Sequence, residues 1–242
     1  MKLLFDLHTH TLASGHAYSS LKENIEAARD KGLLAMGTSD HAKSIPGACG
    51  PLFFKNYKII RDEIMGVRIY KGIEANIMDR KGTLDVPEGL LKTLDYVIAS
   101  LHLPCMKPGT EEENTDALIG AMKNPYVKII GHPDDARYPL NYRAVVQAAA
   151  REKVALEINN SSLAPTASRK GAHETLPEIL KLCMEYRVPV IAGSDAHIYY
   201  DVGNLEYAEE MLVRCGFPEE LVINTDLKKL DLVLNKNGCF SL

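Results

Sequence analysis

Leu3-Leu4-Phe5-Asp6-Leu7-His8-Thr9-His10 opens the chain with a short apolar run that ends on two histidines. A run this brief reads as a strand, and it delivers ligand-type side chains at its carboxyl end. The same phrase recurs down the chain. Apolar runs at 33–38, 68–73, 96–100, 127–131, 154–158 and 188–192 are of strand length. Most are separated by stretches with helical spacing, at 20–31, 53–65, 114–123, 142–152, 174–186 and 204–215. Strands alternating with helices are the pattern of a parallel sheet covered by helices. Gly32 stands where the first helix should stop. Segments 43–52 and 106–113 carry Pro and Gly and read as loops able to cover a site. No linker, low-complexity tract or fixed-period repeat divides the sequence, so residues 1–242 are read as one domain.

Barrels and open parallel sheets place their active sites at the carboxyl ends of the strands. Here those ends carry His8, His10 and then His16, followed by Asp40-His41, Glu74, His102, His132, Glu157, Asp195 and His197. Seven of the eight histidines fall in this pattern; His173, at the start of a helix, reads as a surface residue. Any one of them alone is as readily a surface or satisfied core histidine. Seven strand ends loaded together point to a shared ligand. Imidazole and carboxylate suit zinc, manganese and iron, and nine such groups (His8, His10, His16, His41, Glu74, His102, His132, Asp195, His197) exceed the needs of one tetrahedral ion. Two or three metals are implied. Asp6 and Asp40 neighbour ligands and read as acceptors that fix imidazole tautomers. Glu157 reads equally as a barrel-interior residue or as part of the site.

The net charge of −4 gives no basic excess for an extended nucleic-acid surface, and a small polar substrate fits better. Cys49, Cys105, Cys183, Cys215 and Cys239 form no C-x-x-C pair and no disulfide framework. Neither a signal-peptide core nor a transmembrane-length apolar stretch is present, so the expected setting is cytoplasmic, without membrane association. A homo-oligomer is left open.

Asp6-Leu7-His8-Thr9-His10, Ser39-Asp40-His41, Gly72-Ile73-Glu74, Ser100-Leu101-His102, Gly131-His132-Pro133 and Gly193-Ser194-Asp195-Ala196-His197 together resemble the polymerase and histidinol phosphatase (PHP) superfamily. The order holds along the whole chain. Glu74-Ala75-Asn76-Ile77, Asn114-Thr115-Asp116-Ala117, Glu157 to Ser162 and Ser168-Arg169-Lys170-Gly171 resemble its YcdX-like bacterial phosphatase branch. The resemblance implies an α/β fold, a distorted seven-stranded (β/α)7 TIM-like barrel. It also implies a trinuclear centre of divalent ions, zinc first, with manganese or iron as alternatives. On that pattern His8, His10, Glu74 and Asp195 hold one ion, Glu74, His102 and His132 its bridged neighbour, and His16, His41 and His197 the third. Ala42 and Asp134 depart from the family, each standing where a Gly is frequent, and Asp134 adds a negative charge near the site.

The function so implied is hydrolysis of a small phosphate monoester, with metal-bound hydroxide as the nucleophile. Arg169 and Lys170 are read either as a phosphate grip or as an exposed charged loop. Histidinol-phosphate phosphatase and phosphodiesterase or nuclease are the alternatives within the superfamily. An amidohydrolase is disfavoured because no Lys ends the fourth strand, and a catalytically silent metal-binding regulatory domain is the rival from another class.

Overall fold

The computed structural model describes residues 1–234; Cys239 lies outside them. In chain order the strands are β1 Phe5–Asp6, β2 Ala35–Thr38, β3 Glu63–Ile64, β4 Val67–Asn76, β5 Tyr96–Ser100, β6 Val127–Ile130, β7 Ala155–Asn159 and β8 Val190–Gly193. The helices are α1 Leu21–Asp30, α2 Pro51–Lys55, α3 Glu88–Leu91, α4 Glu111–Met122, α5 Tyr142–Glu152, α6 Asn160–Leu163, α7 Ala172–Tyr186, α8 Glu206–Arg214 and α9 Leu227–Leu234. Seven strands run parallel in the order β1-β2-β4-β5-β6-β7-β8, and β3 pairs antiparallel with β4. All seven expected strands are found. Both faces of the strands are covered, which is why they read as continuous apolar runs.

Alternation nonetheless sorts their side chains. Tyr96 and Ile98 of β5 and Ala155 of β7 point into the barrel with Phe5, Leu7, Tyr70, Ile129 and Ile191, while Val97, Ala99, Leu156 and Ile158 face the helices. Leu230 and Val233 of α9 join the interior group and plug the amino-terminal end. Tyr96 fills the space left by two glycines: a Cβ at Gly37 would stand 2.1 Å from its hydroxyl and one at Gly72 2.2 Å from its Cζ. Its hydroxyl donates to the Leu7 carbonyl at 2.6 Å.

The barrel is nearly closed. Among the described residues no strand ladder joins β8 to β1, and two devices span that gap instead. Near the ligand end, Thr9 and Ala196 form an isolated parallel bridge. Lower down, the buried Asn224 side chain donates to the carbonyls of Phe5 and Ala192, each at 2.9 Å, and accepts from the Ala192 amide at 2.7 Å.

The 53–65 segment corrects the expected single helix. Pro51 at the first turn starts α2, a 3-10 turn follows over Asn56–Ile59, and Met65 and Gly66, both at positive φ, then turn β3 back onto β4. Two residues with φ > 0 make the tight hairpin whose twist suits paired strands.

Candidate metal centre

Inward positions on the strands change from apolar to polar toward their carboxyl ends: Tyr70, Gly72, Glu74 and Asn76 on β4, then Ala155, Glu157 and Asn159 on β7. The site is therefore the top layer of the barrel interior. β1 ends at Asp6, but the chain stays extended through Thr9, so His8 and His10, two residues apart, share a face. Thr9 faces the other way and donates from Oγ1 to the Gly37 carbonyl at 2.7 Å.

Glu74 is fully buried at the centre. Its Oε1 lies 3.2 Å from His102 Nε2 and 3.1 Å from His132 Nε2. Its Oε2 lies 3.4 Å from His8 Nε2, 3.5 Å from His10 Nε2 and 2.7 Å from His41 Nδ1. Asp195 Oδ1 stands 3.1 Å from His10 Nε2 and 3.6 Å from His8 Nε2. At the mouth, His16 Nε2 and His197 Nε2 are 3.0 Å apart, and the His16 and His41 rings stack at 5.0 Å. All nine sequence-derived ligand residues are thus brought together. The tightest groupings of donor atoms are His8–His10–Glu74, His41–Glu74–His102 and His10–His41–His197. His41 therefore faces the centre as well as His16.

The imidazoles are held from behind. Nδ1 of His8 meets Glu157 Oε1 at 2.6 Å, Nδ1 of His10 meets Ser14 Oγ at 2.9 Å, and Nδ1 of His102 meets Asn76 Oδ1 at 2.7 Å. His16 and His197 direct Nδ1 to the carbonyls of Ser14 and Asp195. In each ring Nε2 is left facing inward. Such partners fix the tautomer and orientation of a metal-binding histidine. Glu157 thus belongs to the site as well as to the barrel interior.

Asp6 and Asp40, expected to accept from ligand imidazoles, act differently: both carboxylates bind backbone and hydroxyl groups. Asp6 accepts from the amides of His8, Ser194 and Gly203 and from the Ser194 hydroxyl, tying the first strand end to the last. Asp40 accepts from the Thr11 amide at 2.6 Å and the Ser14 hydroxyl at 2.7 Å, so its influence reaches His10 only through Ser14. Strand-end patterning does not single out Ser14 or Asn76 as supports, although Asn76 lies inside the Glu74–Ile77 motif.

Five buried atoms, His8 Nε2, His10 Nε2, His41 Nδ1, Glu74 Oε2 and His102 Nε2, make no well-aligned hydrogen bond, although they lie close to one another and His41 Nδ1 stands 2.7 Å from Glu74 Oε2. Each such orphan costs about 1–3 kcal/mol. They lie around one carboxylate and are all of the imidazole and carboxylate type, so the donor set fits divalent metal ions. Two residues of the site also carry backbone strain: His132 at φ 30° and Asp195 at φ 55° occupy the left-handed region.

Electrostatics supports the same arrangement. Burial alone would raise Glu74, but the imidazoles of His102, His41 and His8 hold its carboxyl well below the usual range. Asp195 is likewise held well down against burial, by Arg169 and His8. Arg169 Nη2 donates to Asp195 Oδ2 at 2.5 Å, and the side chain lines a cleft of ≈ 550 Å³ that opens above the centre between His41, His102 and His197. Lys170 is exposed and does not line that cleft. Asp134 is fully buried with both oxygens unpartnered; burial pushes its carboxyl up to about 7, with Arg169 opposing. His173 is exposed and directs Nε2 to the Leu163 carbonyl, away from the centre. Among the described residues the four cysteines are free, and no helix is long and apolar enough to cross a membrane.

Known proteins resemble this chain in sequence or in fold. A protein of Clostridium novyi (strain NT), named a probable phosphatase, is 47% identical over 238 residues, 98% of this chain and 97% of its own length. Another so named, from Thermoanaerobacter sp. (strain X514), is 48% identical over 231 residues, 95% of this chain and 94% of its own. The crystal structure of histidinol phosphate phosphatase from Lactococcus lactis, complexed with zinc, L-histidinol and phosphate, superposes with a TM-score of 0.66 at 19% identity. The match covers 89% of this chain and 95% of that one. At that identity the likeness speaks for the barrel alone. Since the family model for the PHP domain matches residues 6–161 and that for the PHP-associated region residues 175–206, the chain belongs to the PHP domain family.

Proposed function

We propose that the protein is a cytoplasmic, single-domain, metal-dependent phosphatase acting on small phosphate monoesters. The observation that carries this reading is the ring of buried donor atoms without well-aligned hydrogen bonds around Glu74, behind which five imidazoles are locked with Nε2 inward. His8, His10, Glu74 and Asp195 would hold one ion; Glu74, with an oxygen toward each group, would bridge to a second held with His102 and His132; His16, His41 and His197 would hold a third. When bound, three divalent ions, zinc first and manganese or iron as alternatives, supply a hydroxide nucleophile at neutral pH and neutralise phosphoryl oxygens. The relatives named probable phosphatases support the same chemistry.

The chain's own residues do the rest. Arg169 orients Asp195 and offers its remaining N–H groups to a phosphoryl oxygen in the cleft, a planar donor matched to that geometry. Lys170, exposed beside it, adds positive charge that draws anions to the mouth. Leu101 and Ile45 give the cleft part of its apolar wall.

The test is metal content per chain in protein purified without chelator, together with aryl phosphate hydrolysis before and after metal stripping. Two to three ions per chain with metal-dependent turnover are expected. Substoichiometric metal and no activity after reconstitution would overturn the reading. Arg169→Ala should lower kcat/KM at least about tenfold; unchanged efficiency on every ester would remove Arg169 from the grip.

A further inference from the structure

The ≈ 550 Å³ cleft is roomier than a phosphoryl group needs, so its walls must receive the leaving group as well. Two carboxylates line it, Asp135 and Asp195, and each is already covered by a guanidinium. Arg137 donates from Nε to Asp135 Oδ1 and Oδ2 at 2.9 and 3.0 Å and from Nη2 to Oδ2 at 2.6 Å. Arg169 covers Asp195. Among the described residues, no carboxylate of the cleft is left to meet an ammonium group.

The positive groups are less fully engaged. Among the described residues Arg137 Nη1 has no partner, and the side chain is 32% exposed where it lines the cleft. It stands near enough to Arg169 for the two guanidiniums to repel. Their loops are clamped together: the Ala136 amide donates to the Lys170 carbonyl at 2.8 Å, and Gly171, at φ +78°, lies so close that a Cβ there would be 2.5 Å from the Ala136 Cβ. Two like charges are thus held in place by backbone. Ser161 and Ser168 add hydroxyls, while Leu103 and Pro104 add a carbon surface.

We infer, resting on the phosphatase reading, that the physiological ester carries a second anionic group, a carboxylate or a further phosphate, which Arg137 receives through Nη1. Arg137 is then a specificity-determining residue. It supplies a donor to the second anion, and by covering Asp135 it withholds a carboxylate from cationic substrates. An amino-alcohol phosphate such as L-histidinol phosphate meets the wrong charge in this cleft.

Calorimetry on the metal-loaded protein tests this with three phosphonates of similar size: phosphonoacetate, propylphosphonate and 2-aminoethylphosphonate. Phosphonoacetate should bind at least about tenfold more tightly than propylphosphonate, and the amine most weakly. Arg137→Ala, which uncovers Asp135, should collapse or invert the order, and Arg137→Lys should restore part of it. A turnover panel of phosphoglycolate, fructose 1,6-bisphosphate, glycerol phosphate and L-histidinol phosphate tells carboxylate from second phosphate. An equal or reversed phosphonate order in the wild type, binding of none of the three, or an order unchanged in a folded Arg137→Ala variant would overturn the inference. Absence of turnover on every ester, with the phosphonate order intact, would instead defeat the phosphatase reading.

Discussion

Glu157→Gln changes one atom, and the hydrogen bonds around the carboxylate determine its effect. Glu157 Oε2 accepts from the His132 amide at 2.8 Å and the Asn159 side-chain amide at 3.0 Å, while Oε1 meets His8 Nδ1 at 2.6 Å. A glutamine has one acceptor oxygen, and two donors demand it on the His132 side. Its NH2 group is then turned against His8, which must accept at Nδ1 and carry its proton on Nε2, the atom aimed at Glu74 and Asp195. An imidazole protonated there has no lone pair for a cation. Loss of such a supporting partner costs roughly 10–100-fold in metal affinity, and the forced tautomer places this case at the upper end, about 100-fold or about 2.7 kcal/mol. Competition with a chelating indicator, on protein whose fold is checked by circular dichroism, measures the affinity of the weakened site. An affinity within about threefold of wild type would refute the tautomer argument.

Three further outcomes are expected. Adding zinc to stripped protein at about 1,000 times Kd should contribute about 4 kcal/mol and raise Tm by about 8–16 °C in a scan, because the metal binds only the folded cluster; a flat Tm would mean that the orphaned donors are not ligands. Asn224→Ala strips partners from three buried backbone groups and should cost about 3–5 kcal/mol by denaturant unfolding; a loss below about 1 kcal/mol would show that the gap between β1 and β8 closes without it. Gly72→Ala drives a methyl into the Tyr96 ring and should destabilise by about 1–3 kcal/mol or more, whereas Gly50→Ala, whose Cβ meets nothing within 4 Å, serves as the control. Equal Tm values for the two would remove Tyr96 as the filler of the barrel.

The site is legible in the sequence because its residues are rare types at recurring places. Each strand is a short apolar run, and the ligand comes directly after it, so the strand ends can be located to within a few residues; β5 and α5 fall where the spacing puts them. What supports the ligands is harder to read. Asp40 adjoins His41 in sequence yet binds Thr11 and Ser14, and His10 finds its partner in Ser14, because loop closure, and not sequence adjacency, brings the acceptor to the ring. The 53–65 segment misleads because Phe53, Phe54 and Tyr57 have helical spacing, while the deciding signal, the Met65-Gly66 turn, is only two residues long. Arg137 escapes notice since an Asp and an Arg two apart look like any solvated loop pair until the cleft wall is seen around them.

The latch at Asn224 also sets an order of events in time. Strand β1 is made before the other strands, yet the side chain that ties its lower part to β8 is made only after some 220 further residues have been added. A nascent chain can zip β1 through β7 one neighbour at a time as they emerge, but it remains an open, curling sheet with an unpaired edge on each side. His8 and Asp195, which share one corner of the centre, meet only when those edges do. The grouping of His8 with Asp195 therefore waits for β8 and the Thr9–Ala196 bridge, and a chain interrupted before residue 224 lacks the hydrogen bonds that hold the lower part of β1 to β8.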